Sequence, residues 1–147
     1  MADKIDLGAQ LHHIVSIMSH ESDQLLLEQL GIGLAQYKIL RVVNDRPHAR
    51  QRTIAGELGQ TEASISRQVK LLHAKGMITT RINPKNQREH LTNLTEKGLR
   101  TIIAADTVIS KYHASLIASL TPKQSDQLRE LLSQIHAQIC TQTAHVV

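Results

Sequence analysis

Apolar residues recur every three or four positions through most of the chain, which is the period of an amphipathic α-helix. The first repeat lies at Leu7, Leu11, Ile14/Val15, Met18 and Leu25/Leu26. It reaches about Gln29, and GIG (31–33) breaks it. A second helix is predicted over LAQYKILRVVND (34–45), and it ends near Arg46-Pro47 because the residue before a proline disfavours helical geometry.

Two short helices are predicted next, separated by a glycine. The third covers 50–58, and Gly59 supplies the backbone freedom of a tight turn. Thr61 is a favourable N-cap for the fourth helix, and Gly76 is its predicted C-cap. A small residue, a flexible turn and an apolar anchor are what two closely crossing helices need. Ala55, Gly59 and Ile65 occupy those places, so the spacing indicates a helix-turn-helix.

The period changes after Gly76. MITTRI (77–82) is rich in β-branched residues, NPKNQ (83–87) has turn chemistry, and REHLTNL (88–94) suits a returning strand. The pattern predicts a β-hairpin attached to the helical pair.

Two long helices are predicted to close the chain. Thr95 caps the fifth, whose apolar face carries Leu99, Ile102/Ile103, Ile109, Tyr112, Leu116/Ile117 and Leu120. Thr121, Pro122 and Gln124 form a capping box that opens the sixth. Long amphipathic helices thus lie at both ends of the chain, and their apolar faces need a partner. An intramolecular bundle would supply one, but we expect a second copy, since the middle segment looks complete without these helices.

Composition and charge narrow the class of protein. The chain has 147 residues, 41% of them hydrophobic, with two Tyr and no Phe or Trp, which favours an aliphatic helical core. No apolar run suits a membrane span, no signal peptide is visible, and the single cysteine, Cys140, suits a cytoplasmic location. Net charge is +4, yet residues 46–100 alone hold eleven Lys or Arg against four Glu. This segregation favours a polyanion-binding surface over an ordinary solvated one.

The outward face of the fourth helix carries the candidate base-contacting residues. They are Thr61, Ala63, Ser64, Ser66, Arg67 and Lys70. Short side chains let the helix approach a duplex closely, Arg67 can donate two parallel hydrogen bonds to guanine or a phosphate, and Lys70 offers a point charge. In a helix-turn-helix this second helix enters the major groove.

From Leu30 to Gly98 the sequence resembles a MarR-family winged helix-turn-helix regulator. The matching segments are LGIGLAQYKIL (30–40), TIAGELG (53–59), ASISRQVKLLHAKGMI (63–78) and RINPKNQREHLTNLTEKG (81–98). The resemblance implies a mainly α fold of six helices with a small β-hairpin wing. It also implies a dimer held by the N- and C-terminal helices, 1–30 and 99–147, around a DNA-binding domain, 31–98.

The resemblance also points to the wing. The family usually has an Asp two residues before an Arg that enters the minor groove; here these positions are Asn86 and Arg88. The bracing ion pair is thus replaced by at most a neutral hydrogen bond. Another frequent wing arginine is Gln87 here, so Lys85 and Arg81 are expected to support phosphate contacts.

The resemblance implies a sequence-specific dimeric regulator that binds a pseudo-palindromic operator in double-stranded DNA. Repression is expected rather than activation. A small-molecule effector of unknown identity would release it. The alternative from another class is a winged-helix protein-interaction module; RNA binding fits less well because aromatic stacking surfaces are lacking.

Other chemistry has little support in the sequence. No catalytic triad order, phosphate loop or paired-carboxylate motif appears, so we expect no enzyme and no cofactor. His136 and Cys140 have a zinc-compatible spacing with His145 nearby, and His13 and His20 share a helix face. Without CxxC or clustered ligands we expect scattered histidines and no metal site. Cys140 could also be a redox switch, but a buried interface residue is the expectation.

Overall fold

The computed structural model describes residues 6–143, with side chains from Asp6 to Ile139. Its elements, in chain order, are α1 (Leu7–Leu30), α2 (Leu34–Asp45), β1 (Ala49–Arg50), α3 (Gln51–Leu58), α4 (Glu62–Ala74), β2 (Ile78–Asn83), β3 (Asn86–Leu94), α5 (Glu96–Ile117) and α6 (Pro122–Thr143). The predicted fold class, mainly helical with a small β-hairpin, is confirmed. Within residues 6–143 no helix is both long and apolar enough to cross a membrane.

Local sequence signals set most helix ends. Gly31 ends α1 in the left-handed conformation, and its N–H donates to the carbonyl of Leu27 at 3.0 Å. The capping box of α6 is complete: Thr121 N–H donates to Gln124 Oε1 at 2.9 Å, and Gln124 N–H donates to Thr121 Oγ1 at 3.3 Å. At the end of α4 the C-cap is Lys75 rather than the predicted Gly76. Gly76 follows with a φ of 70° and turns the chain into β2.

The hairpin belongs to a three-stranded antiparallel sheet in the order β1-β3-β2. Only Pro84 and Lys85 separate the two long strands, so the turn is shorter than the predicted 83–87. The third strand, β1, was not predicted, because two residues carry no alternation. Its residue Ala49 pairs with Thr92 on β3, and it joins the end of α2 to the start of α3.

The chain divides after Ile109 into two compact units. The core of the first unit is aliphatic, as its composition predicts. Its buried apolar residues are Leu26, Ile32, Ile39, Leu40, Val43, Ala49, Ile54, Ala55, Ile65, Val69, Leu72, Met77, Ile78, Ile102 and Ala105. They come from α1 to α5 and from two strands, so the sheet and helices of this unit share one interior. The predicted boundary between residues 98 and 99 divides the chain by role, DNA binding in 31–98 before it and dimerisation after it. This boundary stays a prediction.

The second unit, from Ser110 onward, contains the end of α5 and all of α6. Among its described side chains none is buried. Its exposed large apolar residues are Leu116, Ile117, Leu128, Leu131, Leu132, Ile135 and Ile139. The amphipathic pattern of the sequence therefore forms helices here whose apolar faces lie open.

The start of α5 is fixed against the base of the hairpin. Thr95 N–H donates to the Met77 carbonyl at 3.1 Å, and Thr95 Oγ1 donates to the Gly76 carbonyl at 2.7 Å. The same hydroxyl caps α5 by accepting from Gly98 N–H at 3.0 Å. Gly98 is buried, and a Cβ added to it would overlap the carbonyl of Met77. The absence of a side chain at residue 98 permits this close approach.

Candidate nucleic-acid interface

Helices α3 and α4 meet in a three-residue turn. Gly59 has a φ of 61°, and Gln60 N–H donates to the Ala55 carbonyl at 2.9 Å. Thr61 Oγ1 accepts from Ser64 N–H at 3.2 Å and starts α4, as predicted. Ala55 and Ile65 are both buried. The three positions chosen from the sequence therefore carry the roles of small residue, turn and anchor.

The outward face of α4 presents a cationic stripe. Ala63, Arg67 and Lys70 are exposed and lie at i, i+4 and i+7, so they share one side of the helix. Ser64 and Ser66 are half-buried beside them. The hydroxyl of Ser64 donates to Gln60 Oε1 at 3.3 Å, and Thr61 is engaged in capping. Ala63, Arg67 and Lys70 are thus the predicted α4 residues most open to a partner.

The ion pairs of the first unit leave several cationic side chains on α4 and the hairpin unpaired. Three of the four glutamates between residues 46 and 100 pair with arginine: Arg46–Glu57, Arg50–Glu89 and Arg100–Glu96, at 2.5–3.1 Å. Of the eleven Lys and Arg between residues 46 and 100, five have side chains that make no ion pair or hydrogen bond within the described residues: Arg52, Arg67, Lys70, Lys85 and Arg88. The paired carboxylates neutralise other arginines, so the charge on α4 and the hairpin stays uncompensated apart from Glu62.

Buried polar contacts brace the hairpin, which we call the wing (78–94). Asn83 is 7% exposed; its amide donates to Glu89 Oε2 at 2.9 Å, and its Oδ1 accepts from Lys85 N–H at 3.0 Å. The same Glu89 oxygen accepts from Arg50 Nε at 3.1 Å. Asn83 and Glu89 were not predicted as site residues, since neither belongs to a periodic pattern. The Asn-Pro turn was the one available signal for Asn83.

The tip of the wing holds a neutral hydrogen bond, but it is to the backbone of Arg88 and does not replace the family's side-chain ion pair. Asn86 Oδ1 accepts at 3.2 Å from the backbone N–H of Arg88, not from its guanidinium. The Arg88 side chain is exposed, as is that of Lys85. Arg81 differs from both, because its Nη2 lies 3.3 Å from His48 Nδ1. Of the predicted wing cations, Lys85 and Arg88 have free side chains and Arg81 is held.

Two clefts separate the wing from the helices. The first, about 250 Å³, is lined by Arg50, Gln51, Arg52, Glu62, Arg88, Glu89 and His90. The second, about 430 Å³, is lined by Gln51, Ser66, Val69, Lys70, His73, Thr80 and His90. Gln51 and His90 line both. We call these the arginine cleft and the lysine cleft.

Helix α2 is tied to α5 behind this surface. Tyr37 Oη donates to Asp106 Oδ1 at 2.5 Å, and Arg41 Nη1 donates to the same oxygen at 2.8 Å. Burial, followed by the hydrogen bond and charge of Asp106, raises the pKa of Tyr37. The hydrogen bond and charge of Asp106 likewise raise the pKa of Arg41. Neutral tyrosine and cationic arginine are the states this contact favours.

Metal-site candidates can be located only in part. Within the described side chains no group of three or more His, Cys, Asp and Glu could hold a metal ion. His13 and His20 are exposed on α1. The Cys140 side chain and His145 lie outside the described range, so two expectations stay predictions: that His136 and Cys140 hold no metal, and that Cys140 is a buried interface residue.

A helix-turn-helix followed by a β-hairpin wing defines the winged helix-turn-helix class, and comparisons with known proteins agree. Residues 30–89 match the family model described as MarR family. The fold is similar to that of MepR from Staphylococcus aureus in complex with DNA, with a TM-score of 0.72 and 19% identity over 94% of this chain and 99% of that one.

Curated relatives have names of the same kind. The HTH-type transcriptional regulator PetP of Rhodobacter capsulatus is 30% identical over 73 residues, 50% of this chain and 44% of PetP. The HTH-type transcriptional repressor Mb2911 of Mycobacterium bovis is 22% identical over 92% of this chain and 96% of its own length. The chain thus spans less than half of PetP and nearly all of Mb2911. The match to the MarR family model covers residues 30–89, the segment that holds the helix-turn-helix and most of the wing. Both names describe regulators, not enzymes.

Proposed function

We propose that this chain is a DNA-binding transcriptional regulator that acts as a homodimer on a pseudo-palindromic operator. One observation carries the proposal: α4 and the wing present free cations, while three of the four glutamates between residues 46 and 100 are paired with other arginines. A duplex supplies the missing negative charge. Relatives named as a regulator and a repressor, and a similar fold solved with DNA, support the same assignment.

Helix α4 is the proposed major-groove element. The side chains of Ala63, Ser64 and Ser66 are short and project little from the helix, so the helix axis can approach the base edges. Arg67 then reaches a guanine or a phosphate with two parallel hydrogen bonds, and Lys70 contacts the backbone. Thr61 contributes at the helix start, where backbone N–H groups favour a phosphate.

The wing is the proposed minor-groove element. Arg88 enters the groove and responds to its width, while Lys85 at the turn contacts the backbone. Asn86 orders the tip through its hydrogen bond to Arg88 N–H. Arg81 makes a smaller contribution to the phosphate contacts, since its guanidinium already contacts His48.

Dimerisation is proposed through the segments 1–30 and 99–147, with 31–98 binding DNA. Exposed apolar side chains support it, among them Val15 on α1, Ile103 on α5 and Leu131 on α6. Burial of such surface drives association. Two α4 helices related by a two-fold axis would then meet major grooves about 34 Å apart, which requires an inverted repeat.

The regulatory sign and the trigger complete the proposal. Binding at an operator that overlaps a promoter blocks polymerase, so repression is the expected outcome. A small-molecule effector that binds one spacing of the two DNA-binding domains better than another would shift the population and release the operator. We place the protein in the cytoplasm, where such an operator is accessible.

The test is fluorescence anisotropy with duplex DNA from upstream of the chain's own gene. Affinity should fall steeply between about 50 and 200 mM salt. Arg67→Ala and Arg88→Ala should each weaken binding and flatten the log–log salt slope by about 0.9. Arg100→Ala is the matched control, because its guanidinium is paired with Glu96 on α5. No binding even at low salt would refute the proposal in favour of a protein-interaction module.

A further inference from the structure

His90 lies where the arginine cleft and the lysine cleft meet. It is on β3 opposite Ile82, its side chain is exposed, and it lines both clefts. Because side chains alternate along a strand, Thr80 and Ile82 share its face of the sheet and Arg81 lies on the other. Thr80 also lines the lysine cleft, so this face of the sheet is the one turned toward α4.

Charged and titratable groups surround His90 from every neighbouring element. They are Arg50 on β1, Arg52 on α3, Glu62, Lys70 and His73 on α4, and Arg88 and Glu89 on β3. Arg50 and Glu89 form an ion pair and neutralise each other. The remaining Arg52, Lys70 and Arg88 outnumber the carboxylate of Glu62. The surroundings of His90 are therefore cationic before the imidazole gains a proton, and they attract an anion.

We propose that His90 is a proton-linked contact to the DNA backbone, so that binding tightens as the pH falls. The proposal rests on the DNA-binding function proposed above and assigns a residue and a form of regulation to that same surface. Histidine is the side chain that ordinarily gains its charge between about pH 8 and pH 5. Its protonated ring offers two N–H donors and a positive charge, whereas the neutral ring offers one donor.

The direction follows from linkage. A phosphate beside the ring favours the charged form, so the complex binds a proton more tightly than the free protein does. DNA binding then takes up a proton, and affinity must rise as the pH is lowered. Both clefts open beside predicted DNA contacts, Arg88 on one side and Lys70 on the other. A backbone that touches both would pass His90.

The other histidines near the wing fit this role less well. His48 Nδ1 is engaged with Arg81 Nη2, and His48 N–H donates to Asn93 Oδ1 at 3.1 Å. His73 lines only the lysine cleft. His90 alone among these three borders both clefts, so the coupling is assigned to it.

The experiment measures the affinity of the full-length protein for the duplex at about pH 6 and about pH 8, each across a salt series. The wild type should bind about fivefold more tightly at the lower pH, with a log–log salt slope steeper by about 0.9, the share of one phosphate contact. His90→Gln should remove both differences. His90→Lys, a permanent cation, should bind tightly at both pH values.

His73→Gln is the matched control and should keep the pH dependence of the wild type. Loss of the pH dependence in His73→Gln but not in His90→Gln would overturn the assignment. Full pH dependence in His90→Gln would overturn it too, while DNA binding and the proposed function would stand. A wild type without affinity at either pH would overturn both proposals. Because His90 is exposed, these variants should fold, and circular dichroism at both pH values checks this.

Discussion

The two units of the chain use the same aliphatic side chains in opposite ways. In the first unit Leu26, Leu40 and Ile65 have no exposed surface. In the second unit no described side chain is buried, and Leu131 and Ile139 are 57% and 56% exposed. The first unit encloses an aliphatic interior, although Val15 and Ile103 stay exposed on it, and the second unit leaves its apolar face to solvent.

The difference shows what hydrophobic periodicity can tell. The helical period identifies which side of a helix is apolar, and it does so for both α2 and α6. It does not identify what covers that side. Burial of apolar surface stabilises by about 25 cal/mol per Å², so an exposed apolar stripe of this length favours association. The comparison is therefore between a closed core and an exposed apolar face, which we propose as the dimer interface.

The largest effect should come from the closed interior. Leu40→Ala removes a side chain with no exposed surface, and it should destabilise the protein by about 2–5 kcal/mol through lost burial and a cavity. Urea unfolding measures this. Leu71→Ala is the control, because Leu71 on α4 is 50% exposed and its truncation should cost under about 0.5 kcal/mol. Equal losses in the free energy of unfolding for Leu40→Ala and Leu71→Ala would contradict the distinction between buried and exposed side chains.

The next effect tests the open face. Leu131→Glu places a charge on the exposed stripe of α6, and it should weaken self-association by roughly 2 kcal/mol through lost apolar burial. Light scattering across a concentration series measures the change. Glu130→Gln, one residue away, should leave the assembly unchanged. A wild type that stays a single copy at every concentration would show that this face has another use.

A smaller effect is expected at the contact between α2 and α5. Tyr37→Phe removes the hydrogen bond to Asp106 and should cost about 1 kcal/mol at neutral pH. Because folding raises the pKa of Tyr37, this stability is fully present below the ordinary tyrosine pKa of about 10 and is lost as the pH rises through the folded value. Urea unfolding of both proteins at neutral and alkaline pH should show their difference shrinking. A growing difference would contradict the assignment.

The smallest effect sharpens the comparison within the first unit. Asn86→Asp lies on the exposed wing tip, away from the core, and keeps an acceptor for Arg88 N–H. Its effect on the free energy of unfolding should stay below about 0.5 kcal/mol. Thermal unfolding monitored by circular dichroism suffices. A loss as large as that of Tyr37→Phe would mean that the wing tip contributes to the stability of the core.

Local signals made much of the fold predictable. Thr61, Gln124 and Gly31 act through neighbours within four residues, so the sequence reveals the helix ends they set. The strand β1 depends on pairing with Thr92, more than forty positions away, and its two residues carry no pattern of their own. Long-range contacts of this kind have no sequence signature in a single chain.

The candidate site divides in the same way. The exposed cations Arg67 and Lys70 follow from helical periodicity, and Arg88 follows from the resemblance of the wing to a family pattern. The bracing of the wing by Asn83 and Glu89 does not, because it depends on Arg50 arriving from another strand. The contact of Arg81 with His48 was likewise hidden, because the two residues are 33 positions apart in the sequence. The sequence locates the charged residues, but it does not identify which of them already have a partner.

The close packing at Gly98 limits which amino acids a random library could keep there. Every other residue brings a Cβ into the space of the Met77 carbonyl, so α5 or the hairpin would have to shift. Gly56 on α3 offers the contrast, because a Cβ there meets nothing within 4 Å. Selection for folded protein should therefore return glycine alone at the first position, and alanine at the second should be tolerated or enriched.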